Sequence, residues 1–226
     1  MLEQLTKEIW RWTTPHPVFR PKHPFGREVA CFALLVEGEL VLVDPQAPPE
    51  PEPLWRALDE LLERTGAERM PVLTTIHYHV RSAGEISKRY GDRVEVSVWG
   101  HELIRKQLPR GVRLNRIEPG NSLPAGAEAF PIGKPRRTEM PLHVPALRTL
   151  VFGDTVVGVD GRLRVWADLE ERTEEWYRGR LLPTLEPLLE LEPEHVLATH
   201  GPSAIGDGQA KLRRALADPP WSMRSG

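Results

Sequence analysis

The order of strand-like and helix-like runs predicts an α/β (α+β) fold in which two β-sheets pack between helices. Strand-like runs come first, and strand and helix then alternate before a second set of strands and a closing helix. Several apolar runs end in an ionisable residue, so potential ligands lie at strand ends. A chain of 226 residues suits one hydrophobic core. We therefore expect one domain over residues 1–226, with 218–226 as a loose tail.

The composition narrows the classes of function. A formal net charge of -2 and a pI near 6.5 show no basic excess, which argues against nucleic acid as a partner. No apolar run reaches the length of a membrane span, and the N-terminus lacks the apolar segment of a signal peptide. The one cysteine, Cys31, lies in an apolar strand and is expected in the core. We expect a cytoplasmic protein without a membrane partner.

The first part of the chain predicts a β-hairpin and one helix. β-Formers on both sides of the turn Glu37-Gly38 indicate the hairpin, and leucines at helical spacing indicate the helix. A proline-rich loop before the hairpin holds His16 and His23, which we interpret as surface histidines. The expected elements are a strand from Ile9 to Trp12, hairpin strands Glu28–Val36 and Glu39–Asp44, and a helix over Pro53–Arg64.

The next segment carries two histidines at the end of an apolar strand. His77 and His79 follow that strand and are separated by one residue. Two loop histidines are commonly surface residues, but neutral imidazoles aimed at one point bind zinc-like ions. Ser82 and Glu85 form a capping-box pattern, which predicts that the Ser82 side chain caps a helix over Ala83–Tyr90.

The rest of the chain predicts a second set of strands. Pro183 and Pro187 should kink or divide the helix that contains them. The expected elements are strands Val94–Val98, Ala127–Ile132, Thr138–Val144, Leu147–Phe152 and Glu194–Thr199, a strand pair within Asp154–Trp166, and helices over His101–Leu108 and Gly208–Leu216.

Potential ligands follow apolar strands in a fixed order along the chain: Asp44, then His77 and His79, then Asp154, and finally His200. This order resembles the metallo-β-lactamase superfamily, whose signature is His-x-His-x-Asp-His, a lone His, a Gly-Asp at a strand end and a final His-Gly. The resemblance spans roughly Ile9 to Leu216 and implies a four-layer αββα sandwich. For Asp44 it implies only a supporting role, in which hydrogen bonds hold the metal-binding loop.

The chain departs from this signature at the second metal site. His77 and His79 match the first two ligand positions, but Arg81 replaces the family's aspartate and Ser82 its next histidine. Arginine cannot ligate a metal because it stays protonated and has no acceptor. The resemblance therefore implies that half of the second metal site is missing.

The third histidine ligand has two candidate positions. A strand over Leu147–Phe152 separates His143 from Asp154, which places them about 20 Å apart at about 3.3 Å per residue. The partner strand returns the chain to the Asp154 end near Lys134, which the preferred register places at the third-ligand position. A much-shortened hairpin would keep His143 as a ligand, and that alternative stays open.

The preferred register predicts a site with both acidic and basic groups. A buried aspartate needs a compensating charge, so we expect Arg81 to pair with Asp154 in place of the second metal. The alternative is that Arg81 points to solvent. The predicted metal ligands are His77, His79, Asp154 and His200, and the predicted catalytic residues are Asp154, Arg81 and Lys134.

Three functions are compatible with this site. The function we expect is a metal-free protein, without a cofactor, whose cationic pocket binds a small anion such as a carboxylate or phosphate. The alternative is a hydrolase with one zinc-like ion that acts on an ester, thioester or lactam. The third is a metal-free enzyme with Lys134 or a histidine as base. A serine hydrolase is disfavoured because no Gly-x-Ser-x-Gly occurs. The oligomeric state stays open.

Overall fold

The computed structural model describes residues 2–19, 25–134, 138–167 and 171–222. The strands in these residues are β1 (Glu3–Gln4), β2 (Ile9–Pro15), β3 (Glu28–Val36), β4 (Glu39–Val43), β5 (Arg69–Leu73), β6 (Glu95–Gly100), β7 (Leu114–Arg116), β8 (Glu128–Ala129), β9 (Leu142–Val144), β10 (Thr149–Phe152), β11 (Val156–Val159), β12 (Arg162–Val165) and β13 (His195–Ala198). The α-helices are α1 (Glu52–Thr65), α2 (Ala83–Tyr90), α3 (Glu171–Trp176), α4 (Leu182–Leu185) and α5 (Gly208–Ala217).

The strands form two main sheets. The first has seven strands in the order β1-β2-β3-β4-β5-β6-β7, and the second has four in the order β13-β10-β9-β8. Strands β4, β5, β6 and β7 run parallel to one another, and β10 runs parallel to β13. The carboxyl ends of parallel neighbours meet at one edge of a sheet, so the loops after β4, β5, β10 and β13 can share one site.

Three apolar layers hold these sheets and helices together. The layer between the sheets includes Phe32 and Leu73 from the first sheet and Val151 and Leu197 from the second. A second layer packs α1 and α2 on the outer face of the first sheet, and a third packs α4 and α5 on the outer face of the second. All five residues of β4 are buried because both faces of the strand are covered. The four-layer αββα sandwich is therefore confirmed.

Most predicted elements form near their expected bounds, but β8 and β9 are much shorter than the predicted strands Ala127–Ile132 and Thr138–Val144. Where a helix was predicted over His101–Leu108, the chain forms a 3₁₀ turn over Glu102–Lys106. The hairpin of β3 and β4 is confirmed, and α2 has the predicted bounds. The capping box is wrong, because the Ser82 side chain makes no capping hydrogen bond. Its hydroxyl oxygen accepts a hydrogen bond from the backbone N–H of Ala47 at 2.9 Å instead. Ser82 therefore ties the start of α2 to the loop after β4.

Candidate metal centre

Three potential ligands from both sheets converge at one point. His79 lies in the 3₁₀ turn His77–Val80 after β5, Asp154 follows β10, and His200 follows β13. One ligand atom from each residue lies within 4.8 Å of the other two, and all three side chains are buried. The two nitrogen donors and one carboxylate oxygen are a set that suits zinc-like ions.

Two of the three separations between donor atoms are close to those around a tetrahedral ion. The Oδ1 atom of Asp154 lies 3.4 Å from Nε2 of His79 and 3.1 Å from Nε2 of His200. Ligands about 2.0–2.1 Å from a tetrahedral zinc ion are about 3.3 Å apart. These residues therefore fit one ion in both chemistry and spacing.

Asp44 holds the loop after β5, which carries the histidines, through hydrogen bonds. Its Oδ1 atom accepts a hydrogen bond from the backbone N–H of Thr75 at 2.8 Å, and Oδ2 accepts one from the Thr75 hydroxyl. Nδ1 of His79 lies 2.9 Å from the same Oδ2, and we assign the proton to this nitrogen. The assignment leaves Nε2 of His79 directed at Asp154, as in carboxylate–histidine–metal triads. The supporting role implied for Asp44 is confirmed.

The buried ionisable groups of the site shift one another's pKa values. Burial opposes ionisation of Asp154, but His79 and His200 outweigh it and hold the pKa of Asp154 well below its usual value. Burial and Arg81 oppose protonation of His79, yet Asp44 and Asp154 raise its pKa overall. Burial lowers the pKa of His200 despite its hydrogen bond with Asp154. The two histidines therefore favour the ionised form of Asp154, and the carboxylates of Asp44 and Asp154 favour the protonated form of His79.

His77 lies outside the three-residue group. Its Nδ1 atom is 2.7 Å from the hydroxyl of Thr138, and its carbonyl oxygen accepts a hydrogen bond from the side-chain amide of Gln107. The side chain is only partly buried. Of the four predicted ligands, the structure brings together His79, Asp154 and His200 and leaves His77 beside them.

The predicted ion pair between Arg81 and Asp154 is wrong. Nη1 of Arg81 donates to the backbone carbonyl of Asp44 at 3.0 Å, and the ion pairs among described residues include none between Arg81 and Asp154. Asp154 instead receives a hydrogen bond from the Tyr78 hydroxyl besides its histidine contacts. His79, His200 and Tyr78 are therefore the buried partners of Asp154, in place of the predicted arginine. Arg81 has a φ of 36°, a strained value for a side-chain-bearing residue, at the edge of the site.

Neither candidate for the third-ligand position reaches the site. His143 lies in β9 and pairs with Leu150 of β10, about 13 Å along the strand from Asp154. Its Nδ1 atom lies 3.5 Å from the Glu128 carboxylate. Lys134 is exposed and does not line the cavity at the metal centre. Thr138 occupies the place beside His77 instead.

A cavity of about 750 Å³ opens onto the three ligands and has a largely aromatic wall. Phe25 stacks on His200 with ring centroids 4.3 Å apart and meets Trp166 edge-on at 5.0 Å. His16, which we expected on the surface, also lines the cavity and stacks on His200 at 5.8 Å. His23 lies outside the described residues. Among the described residues, Arg81 is the one lysine or arginine in the lining.

Sequence reasoning missed the aromatic wall and the tyrosine. Tyr78 stands between the two histidines, 46% exposed, and its position in that motif was a usable signal. Phe25 and Trp166 come from distant loops, so no local pattern could connect them with His200. Gly201 follows His200 for a steric reason, because a Cβ atom there would lie 1.9 Å from the carbonyl oxygen of Gly158.

No described helix is both long and apolar enough to span a membrane.

Known protein structures share this architecture, although the sequence itself matches little. A scan against protein-family models gives no match, and neither does a search of curated proteins. The DIM-1 metallo-β-lactamase superposes with a TM-score of 0.64 at 16% identity, over 96% of each chain.

Two further structures agree with the DIM-1 comparison. The metallo-β-lactamase from Pontibacter korlensis gives a TM-score of 0.63 at 13% identity, over 97% of this chain and 99% of that one. A metallo-β-lactamase family protein from Thermus thermophilus gives 0.58 at 17% identity, over 95% and 80%. The resemblance drawn from the sequence is confirmed in the fold. Identities this low establish a shared fold only. The activity must therefore be inferred from the residues of the site.

Proposed function

We propose that this chain, which has the metallo-β-lactamase fold, is a hydrolase that uses one zinc-like ion held by His79, Asp154 and His200. The observation that carries the proposal is the convergence of the three donors within 4.8 Å, at the floor of a cavity. Arg81 occupies the position of a second-site ligand and cannot coordinate, so the proposal is limited to one ion.

The residues around the ligands have separate roles in this proposal. When bound, such an ion supplies Lewis-acid polarisation of a carbonyl oxygen and lowers the pKa of water. Asp44 fixes the ring of His79, and Tyr78 fixes one oxygen of Asp154 through its hydroxyl. Arg81 lines the cavity and provides positive charge for an oxyanion that develops on the substrate.

The cavity wall favours a substrate with an apolar group next to the scissile bond. Phe25 and Trp166 present aromatic surface, and Val18 at the cavity is 68% exposed. An ester, thioester or lactam with an aryl or acyl substituent places apolar surface on this wall and its carbonyl near the ligands. This is the reaction class we assign to the site.

The experiment that tests the proposal measures metal content by elemental analysis, after purification without an affinity tag and loading with zinc, manganese or iron. We expect close to one ion per chain. His79→Ala and His200→Ala should each abolish stoichiometric binding. His77→Ala is the matched control, since it removes a neighbouring imidazole that lies outside the ligand group. It should retain the ion.

Two outcomes would overturn the proposal. One is a wild-type protein that takes up no stoichiometric ion under any loading. The other is binding that depends on His77 and not on His200, because the ion would then occupy a different site. With one ion bound, hydrolysis of aryl esters and acyl thioesters is the activity to screen.

A metal-free anion-binding protein is the second candidate. The observation in its favour is that Asp154 already has partners in His79, His200 and Tyr78, so its charge is compensated within the protein. Arg81 would then attract a carboxylate or phosphate to the cavity. Calorimetric titration with phosphate and acetate tests this function. It predicts binding in the absence of metal that Arg81→Met abolishes.

A further inference from the structure

A buried carboxylate outside the ligand group holds the turn that carries Asp154. Glu139 is 1% exposed, and its side chain lies under the turn between β10 and β11. Oε1 accepts hydrogen bonds from the backbone N–H of Gly153 at 2.9 Å and of Thr155 at 3.3 Å. Oε2 accepts from the backbone N–H of Asp154 at 3.2 Å and from the Thr155 hydroxyl at 2.7 Å. Both oxygens are therefore engaged with one three-residue turn.

The segment around Glu139 also contacts the histidine-bearing loop. The Thr138 hydroxyl meets Nδ1 of His77, and the backbone N–H of Met140 donates to the carbonyl of Thr75 at 2.8 Å. The residues on both sides of Glu139 thus bind the loop after β5, while Glu139 binds the turn after β10. This segment fixes the distance between the loops that carry His79 and Asp154.

The turn is closely packed at Gly153. A Cβ atom at Gly153 would lie 2.6 Å from the Thr75 hydroxyl and 3.3 Å from the Glu139 carboxyl carbon. The carbonyl of Gly153 accepts a hydrogen bond from the Thr199 hydroxyl at 2.6 Å, beside His200. Backbone, Thr75, Thr199 and Glu139 therefore pack directly against one another beneath the site.

We propose that Glu139 is a positioning residue that sets the Asp154 carboxylate against His79 and His200. A carboxylate does this better than a neutral acceptor, because hydrogen bonds from N–H groups to a charged oxygen are shorter and stronger. An amide at this position would also turn its own N–H₂ group toward backbone N–H donors. Glu139 belongs neither to the ligand group nor to the lining of the cavity, so its effect on the site acts through Asp154.

The test compares Glu139→Gln with Glu39→Gln. Glu39 is a matched control because its carboxylate is also buried, accepts a hydrogen bond from a backbone N–H (Ala125) and pairs with Arg69 at 3.0 Å. It lies at the start of β4, about 17 Å along the strand from Asp44. Both variants should lose stability, so the free energy of unfolding alone does not separate a positioning role from a structural one.

The separating measurements are made on folded protein. The first is the ¹⁵N NMR signal of the His79 and His200 imidazoles without metal, which reports their contacts with Asp154. The second is the Kd for Co²⁺ followed by its absorption spectrum. Removing a residue that orients a metal ligand, without binding the metal itself, typically weakens metal binding about 10–100-fold. We expect this decrease in Co²⁺ affinity for Glu139→Gln, together with shifted imidazole signals. Glu39→Gln should leave both unchanged.

The proposal is overturned if Glu139→Gln keeps the wild-type imidazole signals. The cobalt measurement rests on the proposed function, but the imidazole signals do not. A wild-type protein that binds no Co²⁺ therefore refutes the metal site, while the imidazole signals still decide the role of Glu139. If Glu139→Gln does not fold, Thr155→Val decides, since it removes one of the hydrogen bonds to Glu139. It should shift the same signals by a smaller amount, and unchanged signals would refute the role.

Discussion

Asp44 connects β4 with the candidate metal centre through one buried carboxylate. We expect Asp44→Asn to weaken zinc binding about 10–100-fold, because the uncharged amide holds Nδ1 of His79 less firmly. Its hydrogen bonds with Thr75 also weaken, at a cost of about 1–3 kcal/mol in the free energy of unfolding. Competition with a chromogenic chelator measures the first effect, and urea denaturation measures the second.

The backbone at Asp44 makes asparagine the right replacement. Asp44 has a φ of 48°, in the left-handed region that asparagine tolerates better than alanine does. Asp160, with a φ of 50° in the exposed β11–β12 turn, is the matched control. Asp160→Asn should change neither zinc affinity nor stability appreciably. Equal effects from the two substitutions would show that the Asp44 carboxylate has no special role.

The individual ligands were partly predictable from the sequence. Asp154 and His200 end apolar strands, and a strand end fixes where the next side chain lies. His77 and His79 are harder, because the residues after β5 form a 3₁₀ turn. Such a turn advances about 120° per residue, so side chains two positions apart point in different directions. His79 faces Asp154, and His77 faces Thr138.

At the scale of elements, α1 and α2 are joined by a cluster of charges at the surface. Asp59 of α1 accepts hydrogen bonds from Arg89 of α2 at 2.9 Å and from Arg93 just beyond it. Burial is the largest single influence on Asp59 and opposes its ionisation, but the hydrogen bonds from Arg93 and Arg89 together outweigh it and lower its pKa. The ionised form is therefore favoured more in the folded state than in the unfolded chain.

This linkage predicts how stability depends on pH. A carboxyl whose folded pKa is lowered contributes stability above its unfolded pKa of about 3.9 and loses it as the pH falls through the folded value. Asp59→Asn should therefore cost about 1 kcal/mol at pH 7, and the cost should shrink below about pH 4. Urea denaturation at pH 7, 5, 4 and 3 measures it.

The control for Asp59 is a neighbouring carboxyl on the same helix. Glu60 is exposed and takes part in none of the ion pairs formed by described residues. Glu60→Gln should change stability little at any of these pH values. A cost for Asp59→Asn that stays constant down to pH 3 would contradict the linkage.

Elements were more predictable than the contacts at their ends. The Ser82–Glu85 pattern predicted the start of α2 correctly, because such a pattern marks where a helix begins. The Ser82 side chain nevertheless does not cap the helix, and its hydroxyl accepts a hydrogen bond from the distant backbone N–H of Ala47 instead. A sequence pattern identifies only hydrogen-bond partners that are close in sequence. In the folded chain the same atom can bond to a group that is far away in sequence.

At the scale of the whole molecule, the site joins two sheets that are far apart in sequence. His79 follows a strand of the seven-stranded sheet, whereas Asp154 and His200 follow strands of the four-stranded sheet. The order of strands and helices predicted this architecture. The choice between Lys134 and His143 for the third-ligand position depended on strand register, which the sequence left open, and the structure places Thr138 beside His77 instead. The strand register determines which residue reaches the site. A register error of one residue moves each side chain about 3.3 Å along the strand.

Since the ligands come from both sheets, an ion bound to them should stabilise the whole fold. We expect zinc at 100 times its Kd to raise the free energy of unfolding by about 2.7 kcal/mol, provided that only the folded state binds. Unfolding should also remain a single transition, as one domain over residues 1–226 predicts. Thermal and urea denaturation at several zinc concentrations measure both properties.

Three histidine variants make this prediction specific. His79→Ala and His200→Ala each remove a ligand, from the first and the second sheet respectively, so each should abolish the stabilisation by zinc. His77→Ala should keep it, because the imidazole it removes contacts Thr138 and not the ligand group. Stabilisation that survives in His200→Ala would place the ion on the histidine-bearing loop alone. Two transitions with zinc acting on only one of them would show that the sheets unfold independently, against a site built from both.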